Sequence, residues 1–486
     1  MPIHKLLTRT VSLAFLVVFL STMVSCRPDE IITNPGNDLK FSSDTLSFDT
    51  VFSTVGSTTA WMTVRNLSDK TIRIASISLQ SGGESGFHIN LNGITQTSFT
   101  NVEIPAHDSL FLFVEVKTNK QGTTTPNKVQ DAILFDTDGP RKQIILQAWS
   151  WDAVFFKGKV IRSDSTLTST LPIVVYDSLV VAPNTTLTIE PGTQLFFHDK
   201  AMMKVYGTLS AIGTKEAPIQ MRGDRQDYVL KNLPYDRFPG QWYFLQFTST
   251  SFNNRLEYLD IHGAYYGIVA DSSSLSQSKL KMFNSVIHNM VNSCLLSFVS
   301  NVEFGNCQLT NSGQYTVGVV GGNALFTHCT IANYMGLINR GEDPALILVN
   351  YQIDARFKSV IHSFPLTATF NNCIIFGNHG NEVGYIKDEL TDWNLHYQNC
   401  LFPTSTKPTV LTNASDCLYA AEAKFLNLNS DGESYRYDFR LDSISPARRM
   451  GSTAFLGSYS TDLNGVSRTI EDKPDVGAYE WVQGQK

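Results

Sequence analysis

Charge is scarce in this 486-residue chain. Asp, Glu, Lys and Arg make up 17% of it, and 38 basic against 44 acidic side chains leave a formal net charge of −6. Without a basic excess, a general nucleic-acid binder is excluded. Cysteine is scarce too: none occurs between residues 27 and 293, and no Cys-x-x-Cys pair exists anywhere, which removes zinc knuckles from consideration. No apolar run reaches the roughly 20 residues that a bilayer-spanning helix needs. Phosphate-binding Gly-x-x-x-x-Gly-Lys-Ser/Thr loops, Gly-x-Ser-x-Gly elbows and His-Glu-x-x-His motifs are all missing. Hydrophobic residues, at 42%, are plentiful enough for a large core.

The first residues carry an address. Lys5 and Arg9 precede the apolar run Val11–Leu20, and small residues follow up to Cys26, which is secretory signal anatomy over residues 1–25. Met23-Val24-Ser25-Cys26 resembles the lipobox of bacterial lipoproteins, with Met23 where leucine is usual. The resemblance implies that Cys26 is lipidated and anchors the chain in the outer membrane. Arg27-Pro28-Asp29-Glu30 resembles the export signals of Bacteroidetes surface lipoproteins, which implies display on the cell surface. Removing residues 1–25 takes away two cations and no acid, leaving 36 basic against 44 acidic residues and a net charge of −8. Attachment must then come from the lipid rather than from charge. Residues 26–40 mix Pro, Gly, Asn and charge without periodicity and read as a tether.

From residue 41 to 152, short alternating runs such as Ala60–Val64, Ile72–Leu79 and Leu110–Val116 are separated by turn residues, a pattern that predicts a β-sandwich. The segments Leu46–Asp49, Val64–Ser68 and Ile104–Leu110 resemble immunoglobulin-like modules of bacterial and ciliary proteins, but without an intersheet disulfide. The resemblance implies a spacer.

Residues 153–440 follow a different grammar. Very short strands such as Leu187–Ile189, Leu195–Phe197 and Leu209–Ala211 are broken by Pro183, Pro191-Gly192, Gly207 and Gly213. Further on, Ser285, Cys307 and Cys329 lie 22 residues apart, Cys373 lies 44 beyond, and an aliphatic residue stands two positions after each. Such a period predicts a solenoid in which each repeat is one coil. Asparagine is concentrated here, with 18 in residues 251–400 against 10 in the first 250, and asparagine tolerates the left-handed backbone of tight coil corners. The chain resembles a right-handed parallel β-helix of the pectate-lyase type. The coil cysteines 294, 307, 329, 373 and 400, and Cys417 beyond them, are expected as unpaired packing residues. Residues 441–486, from Ser445-Pro446-Ala447 to Gly477-Ala478-Tyr479-Glu480, resemble the choice-of-anchor region of secreted bacterial proteins, with Arg448-Arg449-Met450 in place of the usual Ile-Asp-Ala. This region is expected to cap the last coil, with Asp462, Arg468 and Asp475 forming the cap.

Enzymes on such scaffolds place charged groups on an outward strand face. Aligning the coils gives one outward column of Asp260, Val286, Gln308, Thr330, Ile374 and Leu401, and a second of His262, His288, Thr310, Ala332, Phe376 and Pro403. Neither contains the paired acids that glycoside hydrolysis needs, and both turn apolar, as if something covers them. Tyr258, Asp260 and His262 on one strand, with Tyr265 and Tyr266 at the following turn, form one candidate ligand site. A carboxylate beside an imidazole can orient a general base or bind a metal, and tyrosines stack on sugars. Arg237 and Trp242, in the long segment Arg222–Trp242, form another. No catalytic residue, metal set or cofactor is assigned. The expected function is a surface protein that binds a glycan or host matrix without cleaving it; the alternatives are a polysaccharide lyase or glycoside hydrolase, or a structural envelope component.

Overall fold

The computed structural model describes residues 30–485 except 231, 354–359, 405–412, 430, 431 and 433. The expected signal segment and Cys26 lie outside the described residues. The chain forms two compact units, Met1–Trp151 and Asp152–Lys486.

The first unit has two sheets. One orders the strands Ile31–Ile32, Thr71–Leu79, Asn127–Asp136, Lys142–Trp151 and Thr45–Phe52, with Ser98–Ile104 also on Thr71–Leu79; the other orders Leu39–Phe41, Ala60–Asn66, Ser109–Val116, Phe87–Leu91 and Ile94–Gln96. Period-two alternation puts Leu110, Leu112, Val114 and Val116 inside, while Phe111, Phe113 and Glu115 face out. The buried faces share one core, which includes Ile74, Leu112, Phe135 and Leu146. The tether expected over residues 26–40 is shorter than its composition suggested. Ile31–Ile32 pairs with Thr71–Ile72, Leu39–Phe41 pairs with Val64–Asn66, and Lys142 Nζ donates to the Gly36 and Leu39 carbonyls at 2.7 and 2.9 Å. Leu39 is buried; apolar residues in an otherwise polar stretch are enough to draw it into the sheets.

The second unit is all parallel in its main sheet, whose 26 strands wind as a three-faced β-helix. One face, called here the front face, stacks Ile219–Gly223, Leu259–His262, Val286–Met290, Gln308–Ser312, Thr330–Asn333, Ile374–Gly377 and Leu401–Pro403. The registers Val286 to Gln308 to Thr330 to Ile374 to Leu401 reproduce the spacing seen in the sequence. Inside, Phe304, Phe326, Phe370 and Tyr397 form a ladder with centroids 5.2, 5.0 and 5.0 Å apart. The cysteines at 294, 307, 329, 373 and 400 are buried free thiols and Cys417 is partly exposed. At the corner that leads into the front face, Tyr258, Asn284, Asn306, His328, Asn372 and Asn399 all have φ between 49° and 53°, which explains why asparagine recurs there.

The C-terminal segment does not stop at the end of the rod. It runs along the outside of the front face: Asn399 Nδ2 donates to the Met450 carbonyl (3.1 Å), Ala478 N to Thr330 Oγ1 (3.0 Å) and Tyr479 Oη to Gln308 Oε1 (2.6 Å). Ala332, Ile374, Phe376 and Leu401 pack there against Phe439, Val476, Ala478 and Tyr479 in a second core. The segment expected as a cap packs on the last coils at Asn399 and Leu401 and extends beyond them along the face, where burying the apolar half of the outward columns stabilises it. Arg468 is fully buried and donates to Glu480, Asn306 and the Asp475 and Gly477 carbonyls. Asp462 and Asp475 accept backbone N–H bonds within the same segment.

Candidate functional site

On the more polar coils of the front face Asp260 and His288 stay partly exposed, and the long insertion before Trp242 folds over His262. After the short hairpin of Tyr228–Leu230 and Leu233–Pro234, a 3-10 turn, Tyr235–Arg237, brings Asp236 over the strand that carries His262. Adjacent coils place Asp260 opposite Val286 and His262 opposite His288, so the two imidazoles stack with centroids 4.7 Å apart.

A chain of ionic contacts results. Arg222 Nη1 lies 2.5 Å from Asp236 Oδ1, His262 Nε2 lies 2.9 Å from the same oxygen, His262 Nδ1 lies 2.9 Å from Asp260 Oδ1, and His288 Nε2 lies 3.2 Å from that oxygen. The His262 side chain is only 5% exposed, against 35% for Asp260 and 25% for His288. Burial disfavours the imidazolium of His262, but the Asp260 charge and the hydrogen bond to Asp236 outweigh it and raise its pKa to about 9. Burial likewise works against ionised Asp236, yet His262 and Arg222 hold its pKa near 2. Asp260 is held well below the usual carboxylate range: burial opposes ionisation, and the charge and hydrogen bonds of His262 and His288 overcome it. An imidazolium clamped by two carboxylates is a poor general base at neutral pH.

The linkage has a definite sign. A histidine raised from 6.5 to about 9 adds stability that is full below pH 6.5 and lost as pH climbs through 9. His262→Gln is therefore expected to lower the unfolding free energy by about 2–3 kcal/mol more at pH 6 than at pH 9.5. Urea titrations of both proteins in EDTA at the two pH values check this; equal losses at both would show that His262 is not charged in the fold.

Beyond His288 the front face opens into a groove of about 630 Å³. Arg237, His288, Asn289 and Thr310 line one side, and Tyr435, Arg436 and Tyr437 line the other. Arg237 Nη1 donates to the Ser434 carbonyl at 2.7 Å, which joins the insertion to the opposite wall. Asp438 also lines the groove and is held by the Arg440 guanidinium at 2.9 and 3.0 Å.

Of the residues singled out in the sequence, the structure unites Asp260 and His262 and puts Arg237 at the groove. Tyr258 does not join them: its left-handed backbone, φ 53°, puts it at the corner before the strand, where Glu257 and Glu216 are its charged neighbours. Tyr265 packs edge-on against Tyr243, 5.6 Å away, and neither it nor Tyr266 lines the groove. Trp242 is fully buried, stacked on Phe197 at 4.3 Å with its indole N–H on the His262 carbonyl, so it fills the core rather than gripping a ligand. Asp236 and the Tyr435–Tyr437 wall were missed. Asp236 lies in a charge-dense insertion with no coil register, and the wall comes from about 200 residues further along the chain.

No protein-family model matches the chain, and no curated protein matches it. Among solved structures, the A-module of a mannuronan C-5 epimerase from Azotobacter vinelandii is 10% identical over 56% of this chain and 91% of that chain, with a TM-score of 0.26. The catalytic domain of a GH87 alpha-1,3-glucanase is 7% identical over 70% and 90%, with a TM-score of 0.17. A family 123 glycoside hydrolase from Clostridium perfringens is 7% identical over 23% and 26%, with a TM-score of 0.17. This chain thus spans about a quarter of the length of the last. These neighbours are carbohydrate-active enzymes, but likeness this distant assigns no activity, which has to be argued from the side chains.

Proposed function

We propose that this protein is held on the outer membrane by lipid at Cys26, faces the cell exterior, and binds a glycan in the groove on the front face without cleaving it. The observation that carries the reading is the groove itself, with tyrosines, arginines and neutral hydrogen-bonding side chains set on a rigid sheet. That mixture suits sugars, which offer hydroxyls at their rims and flat C–H faces for rings. Among the described lining residues Asp438 is the single carboxylate, and Arg440 holds it, whereas glycoside hydrolysis takes two carboxyl groups. A lyase is the second reading, supported by His288, which Asp260 orients toward the groove beside Arg237.

The test is the chain from residue 27 onward, incubated with acidic and neutral polysaccharides while retention and chain ends are followed. Retention of one polymer with unchanged chain length supports binding, and Tyr435→Ala or Arg436→Ala is expected to weaken it roughly tenfold, the usual cost of losing one such anchor. New unsaturated ends would make it a lyase. No retention of any polymer would refute the glycan reading. Separately, Cys26→Ser is expected to move the protein out of the membrane fraction; continued membrane retention would refute the anchor.

A further inference from the structure

We propose that Asp260, His262 and His288 are three ligands of a divalent transition-metal site, best suited to Zn²⁺, with a fourth position open to water or to an oxygen of a bound molecule. The donor atoms converge: Asp260 Oδ1 is 2.9 Å from His262 Nδ1 and 3.2 Å from His288 Nε2, and all three donors lie within 4.8 Å of one another. Bonds of about 2.0–2.1 Å at tetrahedral angles put neighbouring donors roughly 3.3 Å apart. The Asp260 oxygen therefore needs to move from each imidazole nitrogen by only a few tenths of an ångström, the two nitrogens lie within 4.8 Å of each other, and two nitrogens with one oxygen suit zinc better than calcium or magnesium.

Two independent features point the same way. The outer nitrogen of His262 already meets a carboxylate, Asp236, which is itself fixed by Arg222. A carboxylate behind a histidine is the usual support of a metal ligand, because it sets the tautomer and the ring direction. The ligands also sit on neighbouring coils in fixed register, His262 opposite His288, so their spacing is built into the sheet. Asp260 and His288 are partly exposed, which leaves an ion a way in. With both imidazoles neutral, Asp236 and Asp260 against Arg222 leave one negative charge to attract a dication. A proton and a metal are alternatives at His262 Nδ1, so the ion takes the place of the bridging proton.

The site stands apart from the glycan reading, since its test contains no carbohydrate. The Cys26→Ser chain, stripped with EDTA, is titrated with Co²⁺ while visible absorption is followed, and with Zn²⁺ against a chromophoric chelator. One equivalent is expected to bind with micromolar or tighter affinity and to give the intense visible bands of four-coordinate cobalt. Asp260→Asn and His288→Ala are each expected to weaken binding at least tenfold. Asp236→Asn, which touches no metal, is expected to weaken it 10–100-fold without changing the stoichiometry. Circular dichroism confirms that each variant keeps its strand signal; should His288→Ala unfold, His288→Gln replaces it. Absence of stoichiometric binding to the parent chain, or binding undiminished in a folded Asp260→Asn/His288→Gln double variant, would overturn the site.

Discussion

Replacing Arg468 with methionine is expected to cost about 3–5 kcal/mol and to loosen the C-terminal segment from the β-helix. The guanidinium is buried with Glu480, whose carboxylate lies 2.7 Å away, and it also reaches Asn306 Oδ1 on the corner ladder at 2.8 Å. Burial already raises the Glu480 carboxyl to about 8, so removing the cation drives it neutral, leaves it buried without its partner and takes hydrogen bonds from the Asp475 and Gly477 carbonyls, and breaking such a pair on one side carries the penalty just given. Loosening the segment uncovers Ala332, Ile374, Phe376 and Leu401. Dye binding to apolar surface and proteolysis within residues 441–485 should therefore rise together, and glycan retention should fall with them, since Tyr479 lines the groove. Adding Glu480→Gln replaces the orphaned carboxyl with a neutral amide and is expected to restore part of the loss. A change of less than about 1 kcal/mol in Arg468→Met would mean that the apolar contacts alone hold the segment.

Trp242→Ala is expected to cost a similar amount, about 3–5 kcal/mol, the range for removing a large buried ring. The indole fills the coil interior against Phe197 and donates 2.8 Å to the His262 carbonyl. Truncation opens a cavity and frees the residue that ends the insertion, so Asp236 loses its fixed approach to His262. Trp242→Phe retains most of the packing and loses the one hydrogen bond, for about 1 kcal/mol. Denaturant unfolding distinguishes this from a ligand-gripping role, in which Trp242→Ala would leave stability unchanged and abolish binding.

The architecture was legible because its signal repeats. Ser285, Cys307, Cys329, Cys373 and Cys400 mark the same point of successive coils, and the columns drawn from them put His262 beside His288, as the structure does. Both columns turn apolar at Ala332 and Ile374, and the C-terminal segment covers that half and reaches on to Thr330 and Gln308. Where repetition fails, so does inference from one sequence. Tyr258 has the same parity as Asp260 and His262, but period-two counting assumes an extended backbone, and the left-handed corner breaks the count. Trp242 and Arg237 sit five residues apart in one insertion and end in opposite environments, one in the core and one at the groove. Asp236 becomes part of the site only through its contacts with Arg222 and His262, which no spacing announces.

The covering of the front face also makes two properties inseparable. Tyr435–Phe439 and Tyr479, which complete the groove, lie beyond residue 420, after the coils in sequence. Without them the rod keeps an adhesive flank and has no recognition site. A chain truncated after residue 420 is therefore expected to self-associate rather than merely to bind more weakly, so one segment confers solubility and recognition together.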